Sequence, residues 1–253
     1  MNPSAERQIV GIDCAAQDRN VGVAVGAGGS DSGGAGCTVL EAATRLHDPV
    51  EWILERVDWD RPVILALDAP LGWPVEMARR LGRHAPGEAL DVEANHLFRR
   101  RTDHEVRART GKVPLDVGAD RIARAAHGAL GVLARLRRRS GRPLPLLWEP
   151  PGPSASGVIE VYPAATLRQW QWPDRGYKGK NPSDCDTRRV IVGRLGEVVE
   201  LSETAVDNAL EQADTLDAVL CVLAAVDFLG GRCPPAPDDA EVREQEGWMW
   251  VRS

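Results

Sequence analysis

Apolar and polar positions along the chain predict strands in the first seventy residues and mostly helices afterwards. Gln8–Cys14 (QIVGIDC) is a short apolar run that ends in a lone Asp. Asn20–Gly26 (NVGVAVG) alternates, and Cys37–Arg45 (CTVLEAATR) is a third strand candidate. Short polar or Gly-rich spacers separate the three, so an antiparallel meander is expected, with Ala27–Gly36 (AGGSDSGGAG) as a flexible hairpin loop. Asp48–Val57 opens as a helix: Asp48 can cap, Pro49 suits the first turn and Glu51 takes the capping-box position. Arg61–Pro70 (RPVILALDAP) is nearly continuous in apolar residues, as for a strand buried on both faces, and it too ends in a lone Asp.

Gly72–Arg142 reads mostly as helix. Within it Ala119–Arg139 is long and amphipathic, with a basic C-terminal end that the helix dipole favours. Gly141–Gly157 is a Pro-, Gly- and Ser-rich loop, and Gly157–Tyr162 (GVIEVY) is a strand stopped by Pro163. A short helix over Ala164–Trp172, a loop over Tyr177–Ser183 and helices over Asp186–Leu195 and Glu203–Leu229 follow, the last closing on Gly230-Gly231. This order predicts a single α/β domain over 1–253: a mixed five-stranded sheet flanked by helices, with a basic, mainly helical insertion over 73–145 after the fourth strand. The strand–helix–strand link makes the first and fourth strands parallel, through a right-handed crossover, and adjacent.

Composition narrows the class. With 43% hydrophobic and 27% charged positions the chain is neither disordered nor a disulfide-stapled miniprotein. No run of about 18 apolar residues predicts a membrane span. The five cysteines (Cys14, Cys37, Cys185, Cys221, Cys233) form no CxxC pair, and the N-terminus has no secretory pattern, so a cytoplasmic address with reduced thiols is expected. Net charge is −6, yet Phe98–Arg142 carries twelve arginines and one lysine against four acids, +9, and the rest therefore −15. The asymmetry points to an anionic ligand gripped by the basic segment, or else to a solvated helix face.

The chemistry lies in the carboxylates. Asp13 and Asp68 end two parallel buried strands, at the sheet edge where α/β ligands bind. Either alone could cap a turn; together they call for a cation or a raised pKa. Asp214 and Asp217, three apart in QADTLDAVLCVLAAV, face the same way, and Asp217 stands at the mouth of a helix stretch apolar on every side. Glu160, between Ile159 and Val161, points to the face opposite its neighbours and is either a fifth member or an edge residue facing solvent. Carboxylates without His or Cys suit Mg²⁺ or Mn²⁺, and two such ions are the arrangement used for phosphodiester hydrolysis.

GIDCA at 11–15, LDAPLGWP at 67–74, RTDHEVRARTG at 101–111, EVYPAATL at 160–167, YKGK at 177–180, DTLDAV at 214–219 and EGWMWV at 246–251 together resemble the domain-of-unknown-function 429 family over nearly the whole chain. That resemblance implies an RNase H-like fold and a metal-dependent nuclease. It places catalytic acids at the end of the first strand, the end of the fourth and on the closing helix, matching Asp13, Asp68, Asp214 and Asp217. Arg99, Arg100, Arg101, Arg107, Arg109, Lys178 and Lys180 could then hold phosphates of a nucleic acid or other phosphodiester, and Tyr162 could hydrogen-bond near the metals or stack on a base. His104, in the RTDHEVR motif, is a minor candidate for a general base. Two other readings compete. One is an ATP-dependent phosphotransferase of the actin and sugar-kinase type, for which the chain is short and lacks a second phosphate loop. The other is a non-catalytic nucleic-acid-binding protein on the same fold.

Overall fold

A computed structural model describes residues 6–28 and 36–253. Most of the Gly-rich stretch expected as a hairpin loop, 29–35, lies outside the described residues. β1 (Arg7–Asp13), β2 (Gly22–Gly28) and β3 (Cys37–Ala43) form the antiparallel meander. α1 (Pro49–Arg56) is capped by Asp48, whose carboxylate accepts from the amides of Val50 and Glu51, and leads to β4 (Val63–Asp68), parallel to β1 and next to it. Four helices follow before the next strand: α2 (Val75–Leu81), α3 (Ala94–Phe98), α4 (Arg101–Thr110) and α5 (Asp120–Ser140). Then come β5 (Gly157–Val161), α6 (Pro163–Gln169) and α7 (Pro182–Leu195), the last capped by Asn181.

The sheet has seven strands rather than the five expected. β6 (Glu200–Leu201) and β7 (Met249–Trp250) close its two edges, and the order is β6-β3-β2-β1-β4-β5-β7. Both added strands have only two residues, too few to show an alternation. The helix expected over Glu203–Leu229 is two helices, α8 (Glu203–Glu211) and α9 (Ala213–Leu229). Gln212 is extended between them. α8 follows β3, its Asn208 donating to the Ala42 carbonyl at 2.8 Å, whereas α9 crosses β1 and β2. The chain must turn between those two directions.

Period-two alternation divides the core into two layers. Ile9, Ile64, Ala66, Ile159 and Val161 pack under α7, α8 and α9. Val10, Ile12, Leu65, Leu67 and Val158 pack under α1 and α5. Asp13 and Asp68 continue the first series and therefore emerge on the α9 side, whereas Glu160 belongs to the second and emerges on the opposite side. No helix among the described residues is long and apolar enough to cross a membrane.

Candidate active site

Asp13 and Asp68 are register partners at the carboxyl ends of β1 and β4. α9 reaches them because the strands it crosses carry glycine at the crossing. A Cβ on Gly11 would lie 2.0 Å from the Ala218 carbonyl oxygen, and one on Gly22 2.1 Å from that of Asp214. The first turns of α9 thus lie against the sheet and bring Asp214 and Asp217 toward the strand ends. Asp214 is exposed in the first turn of α9, not several turns into a longer helix, so the dipole of α9 favours its charge.

Asp217 is fully buried. Tyr177 Oη donates to its Oδ1 at 2.8 Å. Lys178 Nζ lies 2.6 Å from its Oδ2, an ion pair. Asp13 is raised well above the usual carboxylate range, by burial first and then by Asp217 and Asp68. Asp68 is pushed up to about 7 by burial and then Asp217, with Lys178 opposing. Asp214, though exposed at the surface, is raised by partial desolvation where α9 meets the strand ends and then by Asp217. Burial pulls Lys178 down, but Asp217 and Asp13 outweigh it and keep the ammonium charged. Four carboxylates thus repel one another around one lysine. Among the described residues no three His, Cys, Asp or Glu side chains already stand at metal-ligating spacing.

A cleft of about 340 Å³ is lined by Asp13, Asp68, Tyr162 and Lys178; Asp217, buried behind them, and Asp214 do not line it. Glu160 also reaches it, but from the other side of the sheet and already paired. Its Oε1 and Oε2 accept from Arg100 at 2.6 and 2.8 Å, and Oε2 also accepts from the Leu71 amide at 2.9 Å. It therefore does not join the four aspartates as a free carboxylate.

The expected phosphate grip needs the most correction. Arg100 has no exposure; its guanidinium donates to Asp103, Glu160 and the Glu246 carbonyl, leaving nothing for a substrate. Arg99 pairs with Asp116 at 2.8 Å, Arg101 pairs with Asp239, and Arg109 donates to the carbonyls of Val251 and Arg252. Arg107 and Lys180 are exposed and do not line the cleft. His104 lines a separate hollow with Arg99, Arg101, Asp239 and Glu241 and not the cleft that holds Asp13 and Asp68, so it is not placed to act as a general base for them. Of the residues expected to meet substrate, Tyr162 and Lys178 line the cleft, and Arg107 and Lys180 stay exposed outside it. Tyr177 was missed: the YKGK motif drew attention to its lysines, while the tyrosine is what fixes Asp217.

An α/β protein with a carboxylate cluster at the ends of adjacent parallel strands is the class that fold and site define. Residues 11–242 match the model of the family described as protein of unknown function (DUF429), and the chain belongs to that family. No curated protein and no solved structure matches the chain.

Proposed function

We propose that the chain is a metal-dependent phosphodiesterase, a nuclease of RNase H-like fold, acting through Asp13, Asp68, Asp214 and Asp217. The observation that carries this reading is the register pairing of Asp13 with Asp68 on the same sheet face as the i, i+3 acids of α9. The order β3-β2-β1-β4-β5, three strands antiparallel and then two parallel to the first, supports the RNase H-like arrangement.

The residues fit a hard dication. Their donors are carboxylate oxygens, and both burial and mutual repulsion oppose their charge, costs that a cation among them would relieve. Asp13, Asp68 and Asp217 would hold it, with Asp214 at the rim. Bound Mg²⁺ or Mn²⁺ would supply an activated water and charge stabilisation at the phosphorus. Tyr177 keeps Asp217 from rotating by its bond to Oδ1. Lys178, on a side chain 62% exposed, can leave Asp217 for a substrate oxygen without unfolding anything. Tyr162 sits on the cleft wall, where it can contact the substrate's sugar or base.

Cleavage of single-stranded and duplex DNA and RNA with Mn²⁺ tests the reading. Asp13→Asn is nearly isosteric and should leave the circular dichroism unchanged. It should lower turnover by more than the roughly 10–100-fold typical of an outer-shell change. Full activity of this variant with Mn²⁺ would overturn the assignment. ATP turnover without nucleic-acid cleavage would point to the phosphotransferase instead.

A further inference from the structure

The cleft has a second lining of different chemistry. Pro114, Leu115, Ile122 and Ala125, all from the insertion between β4 and β5, share it with Asp13, Asp68 and Lys178. Leu115 is 66% exposed, more than any other large apolar side chain among the described residues, and Val113 beside it is 44% exposed. This is not a frayed loop. On one side Lys112 Nζ lies 2.8 Å from the Asp174 carboxylate. On the other, Asp116 accepts from Arg99 at 2.8 Å, and the Val117 amide donates to the Phe98 carbonyl at 3.0 Å, with the Val117 side chain fully buried. Pro114, itself buried, fixes the backbone between them. An apolar lip is thus held out over an acidic cleft.

Apolar surface kept exposed at the rim of a concave polar site marks a ligand groove. On the phosphodiesterase reading its occupant offers an apolar face to the lip and an oxyanion to Lys178 and to the cation that Asp13 and Asp68 would hold. About 340 Å³ lies near the lower end of small-ligand pockets, so the cleft takes one unit rather than a helix. A stacked duplex keeps its base faces covered, whereas an unpaired nucleotide exposes one. We propose that the cleft binds a single unstacked nucleoside phosphate of a single strand or strand end, with its base on Leu115 and Ile122 and its phosphate toward Lys178 and the cation that Asp13 and Asp68 would hold. The proposal rests on the phosphodiesterase reading above and adds the substrate class to it.

Calorimetry on the full chain separates the two. Mg²⁺ uptake is measured alone, and then a 5′-mononucleotide, ribose 5-phosphate, a single-stranded oligonucleotide and a blunt duplex are compared on the Mg²⁺-loaded protein. Removing the base should weaken binding by at least about fivefold, the lower end of what one stacked base contributes. Leu115→Ser, at an exposed position, should fold normally and cost the mononucleotide a similar factor. It should leave ribose 5-phosphate and Mg²⁺ binding unchanged. Equal binding of mononucleotide and ribose 5-phosphate, an unchanged mononucleotide affinity in Leu115→Ser, or a duplex that binds as well as the single strand would overturn the proposal even if Mg²⁺ binds. Failure of Mg²⁺ uptake would overturn the metal reading itself, and with it the phosphate half of the proposal.

Discussion

Asp68 is held at about 7 by burial and then by Asp217, although Lys178 pulls the other way. Asp13 moves in the same direction for the same reasons. In the unfolded chain a carboxylate ionises near 3.8, so between about 4 and about 7 the folded state holds protons that the unfolded state has lost. Stability from this source is complete below the unfolded value and falls as pH rises through the folded one. The slope is at most about 1.4 kcal/mol per pH unit for each proton. Metal-free protein should therefore have a lower urea midpoint at pH 8 than at pH 5.5, and Asp68→Asn should flatten part of that difference. An identical pH slope in the variant would show that Asp68 is not under this stress. The four aspartates were legible in the sequence because each ends a buried strand or opens a buried helix. Tyr177 was not, because nothing local says that a tyrosine in a loop reaches an acid 40 residues away.

α9 can lie flat on the sheet only where the sheet has no side chains, and Gly11 and Gly22 supply those places. Gly11→Ala would put a methyl 2.0 Å from the Ala218 carbonyl oxygen and 3.0 Å from Cys221 Cβ. Neither obstacle is a flexible side-chain end, so the helix must move. We expect a loss of about 1–3 kcal/mol, the usual cost of overpacking, readable by urea denaturation. The shift should also weaken Mn²⁺ uptake, because Asp214 and Asp217 ride on the displaced helix; a variant as stable as the parent would mean that α9 yields freely. At this scale β1 to β5, α1 and α5 follow from periodicity and caps. The break at Gln212 does not, since 203–229 has no Gly or Pro and the cause is a change of packing partner from β3 to β1 and β2.

Across the whole molecule the +9 of the basic segment is largely answered from within. Arg135 pairs with Asp18 at 2.8 Å, Arg139 with Glu51, Arg142 with Asp60 at 3.2 Å, and Arg101 with Asp239. Sequence displays the charge but not these partners, which lie tens to more than a hundred residues away, so the expected phosphate grip was in large part a set of clasps between the insertion and the rest. The innermost clasp is Arg100. From the start of α4 it reaches Glu160 on β5 at 2.6 Å and Asp103 at 3.0 Å with no exposure to water. Burial alone would drive the guanidinium toward losing its proton, but Glu160 and Asp103 outweigh it and hold it above its ordinary value. Glu160, raised by burial, is in turn pulled back by Arg100. Arg100→Met keeps most of the volume and strands two buried carboxylates, so it should cost about 3–5 kcal/mol. Adding Glu160→Gln removes one stranded charge and should recover part of that loss. The recovery cannot be complete, because Asp103 still lacks its guanidinium partner although it keeps the Arg100 amide at 2.8 Å. Urea denaturation of the two variants checks both steps. A single-variant loss under about 1 kcal/mol, or a double variant weaker than the single, would mean that the insertion is held to the sheet by its apolar contacts rather than by this ion pair.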